Sequence, residues 1–165
     1  MATFSAKDLK DWYIGKAYTA AGYRRKLMSN PTRARDGIQI GKLYCYWYDP
    51  KHKATLPIYD RFPMVFPIDR YSDGFLGLNL HYLNGGERKA LLTRLMKYSN
   101  DHKQNARVRL KLSYDLLNSV KRISNAMRPC IKRYLFNHVQ SPFVELHQDE
   151  WAKAIALPTE VFVKK

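Results

Sequence analysis

Apolar and polar positions alternate most clearly near the middle of the chain. Residues 42–48 read KLYCYWY, so leucine, cysteine and tryptophan alternate with tyrosine. Because successive side chains of a strand point to opposite faces, this pattern predicts a strand. One of its faces is apolar, and the other carries Tyr44, Tyr46 and Tyr48.

Further extended segments follow this strand. Residues 56–62 and 64–71 are rich in aromatic and β-branched residues, which is typical of strands. The Ser-Asp-Gly sequence at 72–74 is typical of a hairpin turn, and it predicts a further strand at 75–83. Proline cannot donate to a strand ladder, so the prolines in and between the first two segments predict that neither segment is a central strand with a full ladder. These prolines are Pro57, Pro63 and Pro67.

Helical spacing of apolar residues predominates on both sides of this region. It predicts helices at about 6–28, 84–98, 129–139, after Ser113 and after Asp149. Short strands are predicted at 107–112 and 143–147. Together the pattern indicates an α+β fold, in which a small, mostly antiparallel sheet from about 42–83 is packed by N-terminal and C-terminal helices.

The length of 165 residues, with 45% hydrophobic residues, fits a single domain over residues 1–165. Within it we distinguish an N-terminal helix and basic loop (1–40), an aromatic β-rich part (42–83) and a basic helical part (84–165). No apolar run is long enough to span a membrane, and the N-terminus lacks the apolar core of a signal peptide. We therefore expect no membrane association and a cytoplasmic site of synthesis.

Charge is the feature of the composition that changes this description. The formal net charge is +15, from 29 basic and 14 acidic residues. Residues 84–140 alone contain 13 basic and 3 acidic residues, which is two-thirds of the excess. Such a balance predicts a polyanion or an acidic protein surface as the partner.

Several basic clusters are candidate contacts for nucleic acid or for an acidic partner. The alternating basic residues of 107–112 are expected on one strand face, and the tyrosine face of 42–48 either stacks on bases or packs inside the chain. The candidates are Arg24, Arg25, Lys26, Arg33, Arg35, Arg94, Lys97, Arg107, Arg109, Lys111, Lys121, Arg122, Arg128, Lys132 and Arg133, with Tyr44, Tyr46 and Tyr48 for stacking.

Signatures of catalysis are weak in this sequence. It has no phosphate-binding glycine loop, no zinc-protease motif and no nucleophile elbow, and its two cysteines and five histidines show no metal-ligand spacing. We therefore expect no cofactor, no metal site and no catalytic residues. The aspartates of residues 49–73, including Asp60, Asp69 and Asp73, leave a metal-dependent nuclease as a third alternative.

Two segments give the chain a resemblance to a known family. Residues 59–63 (YDRFP) and 74–79 (GFLGLN) are the most specific parts of a stretch that covers roughly 48–162 and leaves residues 1–40 outside. This stretch resembles small basic proteins of T-even-like contractile-tailed phages and cyanophages. The resemblance implies a phage origin and a late role associated with the virion or its DNA. It supplies no catalytic residues.

These observations lead to two main hypotheses. The first is a non-enzymatic structural or assembly protein of the phage tail, baseplate or neck that docks through basic surfaces on other virion proteins. The alternative is a phage protein that binds DNA and protects or organises it. Both predict a protein present in the host cytoplasm during assembly and then in the virion.

Overall fold

The computed structural model describes residue 25, residues 28–83 and 85–99, residues 107, 111 and 114–118, residues 130–147, residue 151 and residues 162–164. The helix expected at 6–28 lies almost entirely outside these residues. Arg25, Met28 and Ser29 are helical, and Met28 packs against the core.

Six strands form one antiparallel sheet, in the order β1-β7-β2-β4-β5-β6. A separate pair joins β3 to β8. The strands are β1 (Ala34–Arg35), β2 (Leu43–Cys45), β3 (Ile58–Asp60), β4 (Met64–Arg70), β5 (Gly74–Asn79), β6 (Ile131–Leu135), β7 (Phe143–Leu146) and β8 (Phe162–Lys164). The α+β class and the hairpin at 72–74 are thus confirmed, and the sheet extends well beyond 42–83.

Strand β4 is central in spite of its proline, but its ladder is irregular. This strand lies between β2 and β5, with Pro67 in its interior. The pairing register shifts between Pro67 and Asp69. Proline has no amide hydrogen to donate to the strand ladder. The register shift places an irregularity next to Pro67, so the central strand tolerates this residue.

Both faces of the sheet are buried, because each face carries its own apolar cluster. Leu43, Phe66 and Leu146 belong to the larger cluster, which the helices cover. The second cluster is mostly aromatic and includes Tyr46 and Phe143, whose ring centroids lie 5.0 Å apart. Aromatic edge-to-face contacts of this kind stabilise a core beyond the area that they bury.

The helix predicted at 84–98 is confirmed as α1 (Gly85–Ser99), which buries Leu91, Leu92 and Leu95 against the larger cluster. Residues 114–118 are also helical. Both helical segments lie between β5 and β6 in the chain, so these helices are central in the sequence and not terminal as expected. A 3-10 turn, Leu80–Tyr82, joins β5 to the region of α1.

Two predictions in the C-terminal half are wrong. Arg107 and Lys111 are helical where a strand was expected, and residues 131–135 form strand β6 where a helix was expected. In β6, Tyr134 pairs with Phe75 of β5, and the two rings stack with centroids 5.4 Å apart. This long-range pairing overrides the helix signal of Pro129. The strand predicted at 143–147 is confirmed as β7.

Candidate nucleic-acid interface

The structure describes the side chains of eight of the fifteen predicted basic residues. Arg25, Arg94, Arg107, Lys111 and Arg133 are exposed, and Arg33, Arg35 and Lys132 are half-buried. Lys97 lies in α1. Arg24, Lys26, Arg109, Lys121, Arg122 and Arg128 fall outside the described residues, so their assignment stays a prediction.

The basic cluster of residues 33–42 is partly neutralised within the chain. Arg35 and Lys42 each lie 3.1 Å from a carboxylate oxygen of Glu145, which is buried in β7. Arg35 also donates to the backbone carbonyls of Thr32 and Ala34. These contacts tie β1 and the start of β2 to β7, so Arg35 has a structural role in the free protein.

Arg107 and Lys111 are both helical and exposed. The strand on which they were expected to share a face is absent at these two positions. Both cations nevertheless lie at the protein surface.

Lys132 and Arg133 border a cavity with a volume of about 460 Å³. It lies between β6, β3 and the turn that follows Asp49. We call it the cation–aromatic pocket. Lys51, Lys132 and Arg133 are its cationic lining residues, and His52 lies beside them. Its aromatic lining residues are Tyr48, Tyr59, Tyr82 and Tyr134.

Aromatic rings hold the two strand cations of this pocket in place. The Lys132 ammonium lies 4.6 Å from the centre of the Tyr82 ring, and the Arg133 guanidinium lies 4.7 Å from the centre of the Tyr71 ring. Cation–π contacts orient a cation without neutralising it. Both residues therefore keep a positive charge at the rim of the pocket.

Arg133 also forms an ion pair with Asp73, at 2.8 Å. Both side chains are more than half exposed. Arg133, and more weakly Lys51, hold the pKa of the Asp73 carboxyl below its usual range. Exposed ion pairs of this kind contribute little stability, so Arg133 can exchange Asp73 for another anion at low cost.

A buried polar network forms the floor of the pocket. The Asp60 carboxylate accepts hydrogen bonds from the Phe62 amide, from Asn79 and from His81 Nδ1. Asn79 also donates to the Tyr134 hydroxyl, at 3.1 Å. Burial alone would raise the pKa of Asp60, but its hydrogen bonds to His81, Asn79 and Phe62 outweigh burial and hold this pKa below its usual value.

This network also perturbs the neighbouring tyrosine. Burial, followed by the nearby Asp60 carboxylate, raises the pKa of Tyr82 to about 12. Tyr82 is therefore a neutral phenol at ordinary pH, and it presents a ring and not a second negative charge to Lys132. The pocket thus combines neutral rings with cations, as sites for single-stranded nucleic acid do.

The tyrosine face of residues 42–48 forms part of the core. Tyr44, Tyr46 and Tyr48 are 2%, 0% and 7% exposed. They pack in the aromatic cluster of the sheet, which was the alternative to stacking on bases. Tyr44 and Tyr46 offer no free face to a base, and Tyr48 contributes only to the wall of the cation–aromatic pocket.

The aspartates considered for a nuclease have separate partners. Asp60 is bonded to His81, Asp73 to Arg133 and Asp49 to Lys53. Within the part of the chain that the structure describes, no three His, Cys, Asp or Glu side chains lie together as a metal site would require. Nor does any helix found there have the length and apolarity needed to cross a membrane.

Comparison with protein families decides between the two main hypotheses. A model described as phage T4 terminal DNA protecting protein matches residues 17–165. The chain belongs to this family. The match begins at residue 17, so it takes in most of the N-terminal segment that the sequence resemblance left out. No curated protein and no solved structure matches the chain.

Family membership corrects the leading functional hypothesis. A structural protein of the tail, baseplate or neck that docks on acidic neighbours is wrong, because the family is described by the protection of DNA termini. The alternative of a DNA-binding and DNA-protecting phage protein agrees with it. The description names no catalysed reaction.

Sequence reasoning missed five basic or aromatic residues of the pocket: Lys51, His52, Tyr59, Tyr82 and Tyr134. Tyr134 lies in β6 itself, and the others approach Lys132 and Arg133 only through the folding of β3, the turn before it and the 3-10 turn Leu80–Tyr82. A cue was available in the basic turn of residues 51–53 (KHK), which follows a Tyr-Asp-Pro sequence. Nothing local connects this turn to residues 132–133.

Proposed function

We propose that this protein binds the ends of phage DNA and shields them from degradation. The observation that carries the proposal is membership of the terminal DNA protecting family over residues 17–165. Shielding requires occupancy of the end and no chemical step. The protein accordingly acts by binding, without a cofactor.

The charge of the chain supports this function. A net charge of +15 attracts DNA from solution, and each lysine or arginine that contacts a phosphate displaces a condensed counterion. Exposed cations outside the pocket, including Arg25, Arg94, Arg107 and Lys111, supply such contacts in our proposal. They give affinity for any duplex and no preference for an end.

Protection also requires a compact body beside the bound end. The described strands come from residues 34–164 and bury two apolar clusters. We propose that the chain acts as a single domain that covers the terminal nucleotides and blocks access by nucleases. We further propose that it stays with packaged DNA in the virion. Contacts with other virion proteins remain a prediction of the sequence.

The test compares linear duplex DNA with the same sequence closed at both ends by hairpin loops. We expect tighter binding to the linear form, and affinities for both forms that fall by orders of magnitude between about 50 and 200 mM salt. Equal affinity for the two forms at every salt concentration would contradict end binding. Binding that does not respond to salt would contradict the electrostatic part of the proposal.

A further inference from the structure

The exposed cations of the proposed function do not explain how an end differs from the interior of a duplex. A basic surface contacts backbone phosphates wherever they occur. Recognition of an end requires a feature that only a chain terminus satisfies. The cation–aromatic pocket is such a feature, because a duplex is too wide to enter a cavity of this size whereas a terminal nucleotide is not.

The pocket has the dimensions of a small-ligand site. Its volume of about 460 Å³ lies within the range of about 300–1,000 Å³ that is usual for such sites. Tyr59 and Tyr82 are half-buried in its wall, and they present apolar surface to a sugar and base. The cations of the rim lie around the same opening.

The cations at this rim are available to an anion. Among the described residues, no ion pair involves Lys51 or Lys132. Lys132 is held over the Tyr82 ring, which leaves its charge intact. Arg133 is engaged by Asp73 through a solvent-exposed contact.

Asp73 marks where the anion would bind. Its carboxylate accepts from Arg133 at 2.8 Å, and it lies within electrostatic range of Lys51. A terminal phosphate carries about −1.5 to −2 charge at neutral pH, more than a backbone phosphodiester. A doubly charged phosphate therefore competes well with a single exposed carboxylate for these two cations.

We infer that the cation–aromatic pocket receives the terminal phosphate and first nucleotide of a DNA end, with Lys51, Lys132 and Arg133 on the phosphate. This inference rests on the proposed function and assigns its end-recognition site. The rings of Tyr59 and Tyr82 flank the terminal sugar and base. Asp73 is displaced when the phosphate binds.

The experiment measures the affinity of the full chain for duplexes with 5′-phosphate, 3′-phosphate or hydroxyl ends, and for the closed duplex. Lys51→Gln is the main variant, and Lys53→Gln is its matched control. Both lysines are exposed in the same turn, but Lys53 is paired with Asp49 and does not line the pocket. Lys51→Gln cannot unfold the protein by exposing a core, and thermal denaturation verifies this for each variant.

We expect the wild type to prefer one phosphorylated end over the closed duplex. Lys51→Gln and Lys132→Gln should each reduce that preference about tenfold or more, since each removes a charge-assisted contact. Lys53→Gln should keep the preference and weaken all duplexes equally. A wild-type preference that is independent of the terminal phosphate, or that both pocket variants retain, would overturn the inference and leave end protection standing.

A wild type without any preference for ends would overturn the proposed function instead. A separate experiment then tests the pocket alone. The protein is titrated with a 5′-phosphorylated dinucleotide, and binding is monitored through the NMR signals of Tyr59 and Tyr82. Shifts confined to these rings and abolished by Lys132→Gln would support a nucleotide site. Unchanged ring signals at saturating dinucleotide would refute it.

Removal of the competing carboxylate supplies a gain-of-function test. Asp73→Asn should raise the preference for phosphorylated ends about 2- to 5-fold, because Arg133 is then free to bind phosphate. The control is Asp49→Asn, which changes the net charge equally and removes another exposed ion-pair partner. An equal gain for both variants would show a general charge effect and would overturn the role of Asp73.

Discussion

Two buried tyrosines of the aromatic cluster, Tyr46 and Tyr134, differ in the partner of the hydroxyl group. The Tyr134 hydroxyl is bonded to Asn79 in the floor of the pocket, at 3.1 Å. The Tyr46 hydroxyl is buried and finds no partner among the described residues. Their rings lie 5.7 Å apart, so they share one environment. Replacement of each by phenylalanine isolates the contribution of the hydroxyl.

The structure sets different magnitudes for the two changes. Tyr134→Phe removes one buried hydrogen bond, so we expect the free energy of unfolding to fall by about 1–2 kcal/mol. Tyr46→Phe removes a desolvated hydroxyl with no bond to lose, so we expect stability to stay constant or rise by up to about 1 kcal/mol. In a chain of this length, 1 kcal/mol corresponds to about 2–4 °C in Tm.

Urea and thermal unfolding at neutral pH measure the pair. Burial raises the pKa of both phenols well above the ordinary value, so neither ionises in this assay. We expect Tyr134→Phe to melt about 2–8 °C below the wild type and Tyr46→Phe at or above it. Equal losses in the two variants would refute the hydrogen-bond assignment, because the hydroxyl groups would then have equivalent partners.

Further predictions concern the strands and ion pairs around the pocket. Gly77→Ala should lower the free energy of unfolding by about 1–3 kcal/mol in urea, because the new Cβ would lie 2.2 Å from Val65 Cγ1. A Gly77→Ala variant as stable as the wild type would show that β4 and β5 pack differently. The lowered pKa of Asp60 contributes stability that is present above the unfolded pKa of about 3.9 and is lost as the pH falls through the folded value. Asp60→Asn should therefore be less stable at pH 7, and the acid limb of its curve of stability against pH should be flatter. An unchanged acid limb would contradict this. Glu145→Gln should destabilise the protein and strengthen its binding to closed duplex DNA, because the substitution releases Arg35 and Lys42 from their ion pairs. Fluorescence anisotropy measures this affinity, and an unchanged value would show that neither cation reaches DNA.

The sequence predicted the local elements of the sheet better than their arrangement. Alternation identified β2, and the Ser-Asp-Gly turn identified the β4–β5 hairpin, because both signals lie within a few residues. The central position of β4 was missed, since the register shift that accommodates Pro67 depends on its neighbours. Strand β6 was taken for a helix because its identity comes from pairing with β5.

The candidate site divides in the same way. Its basic character and the choice of Lys132 and Arg133 as candidates follow from composition and charge runs. The sequence does not predict that Lys132 and Arg133 lie beside Lys51 and Tyr82, because Lys51 and Lys132 are 81 positions apart in the chain. The sequence also left open whether the tyrosine face is buried. The alternation of residue types is the same in a strand with two packed faces as in a strand with one free face.

The central claim is that the protein protects DNA by occupying its ends. The most direct measurement is the rate at which an exonuclease degrades linear duplexes of different lengths as protein is added. We predict that protection saturates at about one bound protein per end, whatever the length of the duplex, at a salt concentration that suppresses non-specific binding. A requirement for protein that grows in proportion to duplex length would contradict the claim, because it would show that the protein coats DNA and does not cap it.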